Sequence, residues 1–497
     1  MNPYNPRQAH GAGWWVDIIS SFRRTARRHG SRVFLFDSET SITYAEADVR
    51  TEAIAHELMS RGISDGVALG LCASDRVELW LAIMGAWKAG ALPSLIDART
   101  SNTDLPYFVG DIAAPLLAAA PELHDRLTAA GAAEVVDLAT LEGGDTTRCE
   151  RHHPQAPLYL SYTSGTTGTP KGAVLHSEPV TLGTALIADR LVLTCADVLL
   201  ATTPISSSFQ LVAAVMPAIH TGASVGLLAG RSIEEIWSSA QAMRASILVA
   251  YPLTLAEAVM TSPAVRGRSP FRLALSGGSP LAPRIKRDYR DHLGIHLLES
   301  YGQSELGGFM AMGSERDGDR ALAGYVGRPL PDRLAYVGGP DGIELPAGEV
   351  GEVLVTHGFF AEYRNKPDET VEAKAGGVLH TGDLGVADEN GYLKVLGRVR
   401  EAASAARRGG FLRELEDAYY DHEDVLHATV VENPDGEVEA FLELRPGHST
   451  TAEEVESHAI ARAPAGLAPR QTTVLERMPR TFSGKADRRS LALGVGG

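Results

Sequence analysis

Lysine is scarce in this chain, seven residues against 39 arginines, so any lysine kept inside a motif carries weight. Cysteine is scarcer. Cys72, Cys149 and Cys195 stand too far apart for a disulfide framework or a thiolate metal site, and they fit a reducing compartment. Positive charge as a whole is in deficit. With 46 basic and 62 acidic residues the formal charge is −16, which excludes bulk attraction to nucleic acid or an anionic membrane but allows a local basic pocket. Long apolar runs are missing too: the stretch 211–228 is interrupted by Pro217, His220, Thr221 and Gly222, so it does not read as a membrane span. At the N-terminus, the apolar residues 14–19 are few and are followed by Arg23, Arg24, Arg27 and Arg28, unlike a secretory leader. A cytoplasmic location is expected.

What is present is an ordinary globular composition, 44% hydrophobic and 22% charged, in a chain too long for one small core. Residues 43–62 have helical spacing of Tyr44, Ala47, Ile54 and Leu58. Residues 67–72 read as a buried strand, and 77–89 as a helix closed by Gly90. Strand-like and helix-like segments alternate to about residue 330, which predicts an α/β fold with a largely parallel sheet. From 329 to 394, short strands with turns at Pro340-Asp341-Gly342 and Glu389-Asn390-Gly391 predict a small β subdomain, about 330–396. Beyond it, a helix at 411–422, strands at 428–432 and 439–444 and a helix at 451–462 predict a compact α/β tail. The expected division is a core of residues 1–397 and a second domain of 398–497.

One loop stands out. Tyr162-Thr163-Ser164-Gly165-Thr166-Thr167-Gly168-Thr169-Pro170-Lys171-Gly172 packs three glycines, five non-tyrosine hydroxyls and one lysine between two strand-like runs. Backbone N–H groups, hydroxyls and a lysine can together surround phosphate oxygens. It is not a P-loop. Pro170 stands where that motif needs glycine, and Lys171 is followed by Gly172-Ala173-Val174-Leu175, a strand rather than a helical turn.

The loop resembles the phosphate-binding signature of the adenylate-forming superfamily: acyl-CoA synthetases, adenylation domains of peptide synthetases, and luciferases. Further segments resemble that family's signatures in the right order. These are Ser276-Gly277-Gly278-Ser279-Pro280-Leu281, Tyr301-Gly302-Gln303-Ser304-Glu305, His380-Thr381-Gly382-Asp383-Leu384, Gly397-Arg398 and Ser483-Gly484-Lys485. The resemblance implies a large N-terminal domain of stacked sheets and helices and a small α+β C-terminal domain that rotates on a hinge. It implies ATP and Mg²⁺, with a carboxylic acid attacking the α-phosphate. Thr163, Ser164, Gly165, Thr166, Thr167 and Lys171 match the pyrophosphate loop, Glu305 the Mg²⁺ ligand, and Tyr301 the adenine stack. Asp383 matches the ribose-binding carboxylate and Arg398 a ribose or phosphate contact. Gly277, Gly278, Ser279, Gly302 and Ser304 fall in the nucleotide-binding segments. Lys485, kept amid arginines, matches the catalytic lysine, a compact ammonium able to bridge carboxylate and α-phosphate where a planar guanidinium fits differently.

Two departures bear on the other substrates. Where the family has P-[LI]-[FY]-H beside its acyl pocket, this chain has Pro204-Ile205-Ser206-Ser207-Ser208-Phe209, with Ser207 in the histidine position. A pocket lined by Ser207, Phe209, Tyr251, Ser276, Gly277, Gly302, Gly307 and Gly308 is expected to admit an aromatic or bulky acid, although the same glycines could be turn formers. Arg400 occupies the hinge, and an Ala-rich loop, Ala402-Ala403-Ser404-Ala405-Ala406, replaces the usual apolar strand. The resemblance favours CoA as acceptor. The altered loop favours a free amine, as in stand-alone amide bond synthetases, and a carrier-protein thiol is third, with no carrier domain in the dozen or so residues after Lys485. Natural-product chemistry in a GC-rich bacterium fits the Ala- and Arg-rich composition, and a monomer or homodimer is expected. An inactive homologue acting as a binding protein is the remaining alternative, and the retention of Lys171, Glu305, Asp383 and Lys485 argues against it.

Overall fold

The computed structural model describes residues 17–153, 155–163, 169–261, 269–447, 450–481 and 484–494. Ser164, Gly165, Thr166 and Thr167 of the loop, and Ser483 before the terminal lysine, lie outside the described residues. Two large sheets carry the core. In the nine-stranded sheet, six strands run parallel: His296–Gln303, Leu273–Ser276, Ile247–Val249, Val198–Ala201, Ser224–Leu227 and Val33–Phe36. Antiparallel strands flank them on both sides. The seven-stranded sheet has Leu92–Asp97, Ala68–Ala73, Leu116–Ala119, Val135–Asp137 and Pro157–Tyr162 in parallel, then Gly172–His176 and Glu362–Tyr363 antiparallel at one edge. Parallel strands covered on both faces need apolar side chains throughout. Ala68–Ala73 and Leu273–Ser276 are accordingly buried at every position.

The helices follow from local signals. Thr43 and Glu46 form a capping box that starts Tyr44–Ser60. Val77–Lys88 is apolar nearly all round and buried along its length, with Trp87 Nε1 donating to Leu158 O (2.6 Å) and Trp80 Nε1 to Gln210 Oε1 (3.2 Å). The apolar stretch 211–228 is a buried helical segment closed by Gly222 at φ +83°, followed by the strand Ser224–Leu227.

After residue 330 the expected small β unit appears as a four-stranded antiparallel sheet of Ala335–Gly338, Val350–Val355, Leu379–Ala387 and Leu393–Arg398. Glu362–Tyr363 departs from it and pairs with Ala173 and Val174 in the seven-stranded sheet. The C-terminal part holds the helices Leu412–Tyr420 and Ala452–Ile460 on a three-stranded sheet. Its strands Val425–Glu432 and Val438–Leu444 match expectation, while the edge strand Gln471–Leu475 was too polar and too exposed to be legible. The Ala-rich segment is not a loop. Ala402–Arg408 is a helix, as alanine's propensity and the Gly409 cap at φ +79° require.

Candidate active site

The strands Pro157–Tyr162 and Gly172–His176 pair antiparallel as a hairpin, with Tyr162 opposite Gly172. Its base is closed twice: Thr163 N donates to Lys171 O (2.9 Å), and Lys171 N donates to Thr163 Oγ1 (3.0 Å). Lys171 Nζ lies 4.9 Å over the ring of Tyr363, and the Tyr363 hydroxyl donates to Glu305 Oε1 (2.6 Å). The detour of Glu362–Tyr363 into the neighbouring sheet is what brings this tyrosine between cation and carboxylate. Burial first, then the adjoining Glu305 carboxylate, raises its phenol pKa, so it stays a neutral donor. Nothing in the sequence marked Tyr363; it is a lone tyrosine in a turn-rich stretch.

A second cluster joins the four-stranded sheet to the strand His296–Gln303. Asp383, 6% exposed, accepts from the Tyr301 hydroxyl (2.5 Å) and from Gln303 Nε2 (2.8 Å) on one oxygen, and faces Arg398 Nε at 3.0 Å with the other. Asp383 and Arg398 are direct partners on adjacent strands, which fixes that pair by register. Burial raises the Asp383 pKa, and Arg398 works against the rise. Tyr301 thus presents its ring with its hydroxyl already committed. Gln303, passed over in the sequence, also donates to Thr381 O (2.8 Å) and ties the two strands together.

Lys485 sits in a tight turn in which Thr481 N donates to Lys485 O (2.8 Å) and Gly484 N to Thr481 O (2.9 Å). Its Nζ lies 5.4 Å over the Tyr251 ring. A Cβ placed on Gly278, whose φ is +75°, would come within 3.3 Å of Lys485 Cε, so the glycine turn passes directly beneath this side chain. Burial, and then the like charge of Arg398, lowers the Lys485 pKa to about 8. No ion pair to Lys485 occurs among the described residues. Ser300 links the clusters, donating through Oγ to Ser276 O (2.9 Å) just before the segment 301–305 that carries Tyr301, Gln303 and Glu305. Arg400, by contrast, is exposed in the turn Val399–Glu401 and touches none of these groups.

At the expected acyl end, the Ser207 and Tyr251 hydroxyls are 2.5 Å apart, and Ser206 Oγ donates to Asp97 Oδ2 (2.5 Å), itself paired with Arg99. Phe209 packs on Tyr251 and Phe309, ring centroids 5.6 and 5.7 Å away. The glycines stand where a side chain would meet close neighbours. A Cβ on Gly277 would fall 2.6 Å from Phe209 Cε2, and one on Gly302 would fall 2.3 Å from Gly308 O. Gly307, at φ +55°, presses against Val180 and Leu175, and Gly308 against Arg333. Ser276 is fully buried. At Gly277, Gly302 and Gly307 the missing side chain serves close packing.

Over residues 22–362 the sequence matches the AMP-binding enzyme family, and over 414–485 its C-terminal domain. The chain belongs to that adenylate-forming family. It is therefore a ligase that works through an acyl-adenylate. It is 31% identical over 345 residues to sulfoacetate–CoA ligase of Cupriavidus necator, covering 68% of this chain and 67% of that protein. It is 25% identical over 475 residues to feruloyl-CoA synthase of an Amycolatopsis species, covering 93% and 94%. The crystal structure of an anthranilate CoA ligase with anthranoyl-AMP superimposes with a TM-score of 0.88 at 20% identity, covering 96% of this chain and 98% of that one, a likeness of fold. Among the described residues, no helix is long and apolar enough to cross a membrane.

For this family member the two clusters have distinct capacities. Lys171 and the base of the hairpin can meet phosphate oxygens. Asp383, with Arg398 holding one oxygen, can accept from vicinal hydroxyls. Among the described residues no group of three or more potential ligands could hold a metal by itself. Glu305 offers a single carboxylate with Oε1 steadied by Tyr363, which suits a Mg²⁺ ion that completes its shell with phosphate oxygens and water.

Proposed function

We propose that this protein joins a compact carboxylic acid to the thiol of CoA by way of the acyl-adenylate, with ATP as the activating substrate. The placement of Lys485 over Tyr251 and the Gly277-Gly278 turn carries the reading, because it sets an ammonium, without an ion pair among the described residues, beside Tyr251 and that glycine turn. In the first half-reaction a carboxylate oxygen of the acid attacks the α-phosphorus. The bond from that phosphorus to the β-phosphate's bridging oxygen breaks, and pyrophosphate leaves. Lys485 neutralises charge shared by the incoming carboxylate and the α-phosphate, Lys171 that on the leaving group, and Asp383 with Arg398 orients the ribose. Mg²⁺ held by Glu305 would add charge neutralisation on the triphosphate. In the second, the thiol sulfur attacks the acyl carbon, AMP leaves, and the thiol proton passes to water.

Phe209 closed onto Gly277 favours a compact acid over the bulky or aromatic one expected from the glycines, and a relative named for sulfoacetate fits that size. The relatives above are named for CoA ligation, which supports CoA over an amine. The argument for an amine also weakens because the Ala-rich segment is ordered. It is held to the small sheet by the Arg408–Glu432 ion pair and by Ser404 Oγ donating to Glu432 Oε1 (3.2 Å). With Arg398 held by Asp383 on one side and this helix on the other, the turn Val399–Glu401 is where a core of residues 1–397 would bend against 398–497. The test is pyrophosphate release over acetate, propionate, sulfoacetate and benzoate, then product mass with CoA and with simple amines. Amide formation without CoA would overturn the acceptor assignment.

A further inference from the structure

We propose that Glu257 is a positioning residue for adenylation, the carboxylate that seats the Lys485 turn on the large domain. The proposal rests on the ligase reading above. Glu257 lies on the helix Pro252–Thr261, which begins at the residue after Tyr251, the ring beneath Lys485. Two groups from the C-terminal part converge on it: Arg480, which forms an ion pair with Oε1, and His427, whose Nε2 stands 3.6 Å from the same oxygen. Arg480 belongs to the stem of the Lys485 turn, bridged to Ala486 across it, and Asp487 N donates to Pro479 O (2.9 Å) below. His427, fully buried, comes from the strand Val425–Glu432. One carboxylate therefore ties both the catalytic turn and the sheet behind it to the helix that positions Tyr251.

Burial alone would raise the Glu257 pKa, but His427 and Arg480 outweigh it and pull it down, so the carboxylate is charged when the turn is seated. Other contacts across this boundary lie elsewhere. Arg287 pairs with Asp421, Arg413 Nη2 donates to Leu281 O (2.9 Å), and Arg445 faces Asp288 at 3.9 Å. Losing Glu257 would leave these in place while freeing the stem that presents Lys485. The Glu257 side chain keeps 24% of its surface in contact with solvent, so water can replace Arg480 when the turn withdraws. That makes the contact a reversible latch rather than a permanent brace. With Lys485 placed at the α-phosphate by the reading above, the latch should matter to the first half-reaction alone.

The test is Glu257→Gln in the full chain, with Arg480→Lys as the conservative companion. Pyrophosphate release is measured with whichever of acetate, propionate, sulfoacetate or benzoate reacts fastest. Transfer to CoA is measured separately from that acid's pre-formed adenylate, and amide hydrogen exchange of residues 479–487 is followed without acid. Glu257→Gln is expected to slow pyrophosphate release about tenfold or more through kcat, with KM for ATP and the transfer step within about twofold. Exchange should quicken in 479–487 and in 425–432 but not in the large sheets. Arg480→Lys should keep most of the rate. Equal losses in both half-reactions, or unchanged exchange in 479–487, would overturn the latch. Absence of pyrophosphate release from the unaltered chain with every acid would overturn the ligase reading itself.

Discussion

Replacing Lys485 by methionine separates what this side chain does for chemistry from what its seat costs. The pKa falls from 10.5 to about 8, because burial and Arg398 both disfavour the ammonium. At ~1.36 kcal/mol for each tenfold change in proton affinity this amounts to about 3 kcal/mol, an upper bound because the turn can lift and rehydrate the lysine. The sign follows from linkage. A lysine with a depressed folded pKa binds fewer protons than in the unfolded chain between pH 8 and 10.5, so the penalty is full below about pH 8 and fades as pH rises toward 10.5. Methionine keeps the contact with Tyr251 and carries no charge. The variant is therefore expected to be the more stable protein at pH 7, by up to about 3 kcal/mol, and the advantage should vanish near pH 10.5.

ATP supplies the anion that the seat lacks, so its binding should relieve part of this cost in the parent but not in the variant. Thermal unfolding from pH 7 to 10, with and without Mg–ATP, reads both effects, and ATP–pyrophosphate exchange reads the chemistry. Lys485→Met should abolish exchange while still binding ATP, and should show a smaller ATP-induced rise in Tm than the parent. A variant less stable than the parent at pH 7, with an undiminished ATP shift, would refute the reasoning. It would mean that the ammonium is either solvated or paired.

Tyr363→Phe keeps the ring under Lys171 and removes only the hydroxyl on Glu305. Losing one hydrogen bond to a charged group, worth about 1.5–3 kcal/mol, should raise the Mg²⁺ concentration needed for half-maximal pyrophosphate release by roughly tenfold or more. Asp383→Asn leaves shape intact but removes the acceptor that Arg398 balances; ATP affinity measured by calorimetry should fall about tenfold to a hundredfold. Phe209→Ala should shift the preference of pyrophosphate release from acetate and propionate toward benzoate, at about 3–5 kcal/mol of stability read from denaturant unfolding. An unchanged acid preference would show that Phe209 does not set the pocket's length.

The clustering of Tyr301, Asp383 and Arg398 was legible because much of it is local in sequence. The segment 301–305 places Tyr301 and Glu305 by itself, and the register between Leu379–Ala387 and Leu393–Arg398 sets Arg398 beside Asp383. Tyr363 was not legible, since its role depends on a two-residue strand leaving one sheet for another, a tertiary choice with no local signature. Glu257 was hidden for the same reason: it is one acid on an ordinary helix until residues 427 and 480 arrive from the far end of the chain. In the Ala-rich segment plain helix propensity prevails over the family's strand pattern.

The glycines show why composition alone leaves the acyl end open. A missing Cβ removes volume from one side of a contact, but it makes a cavity only if nothing moves in to use the space. At Gly277 the Phe209 edge and Ser300 Oγ occupy it, and at Gly302 the backbone of Gly308 does. Close packing is the usual fate of such positions, since an empty apolar gap forfeits dispersion contacts on both sides. On the function proposed above, the phenylalanine at 209 would set the size of the acid. Ser207, in the histidine position, leaves a hydroxyl pair with Tyr251 directly below the lysine that must reach the acid. On the function proposed above, a compact acid with polar substituents would hydrogen-bond to that pair with Phe209 in place, and an aryl ring would require Phe209 to move.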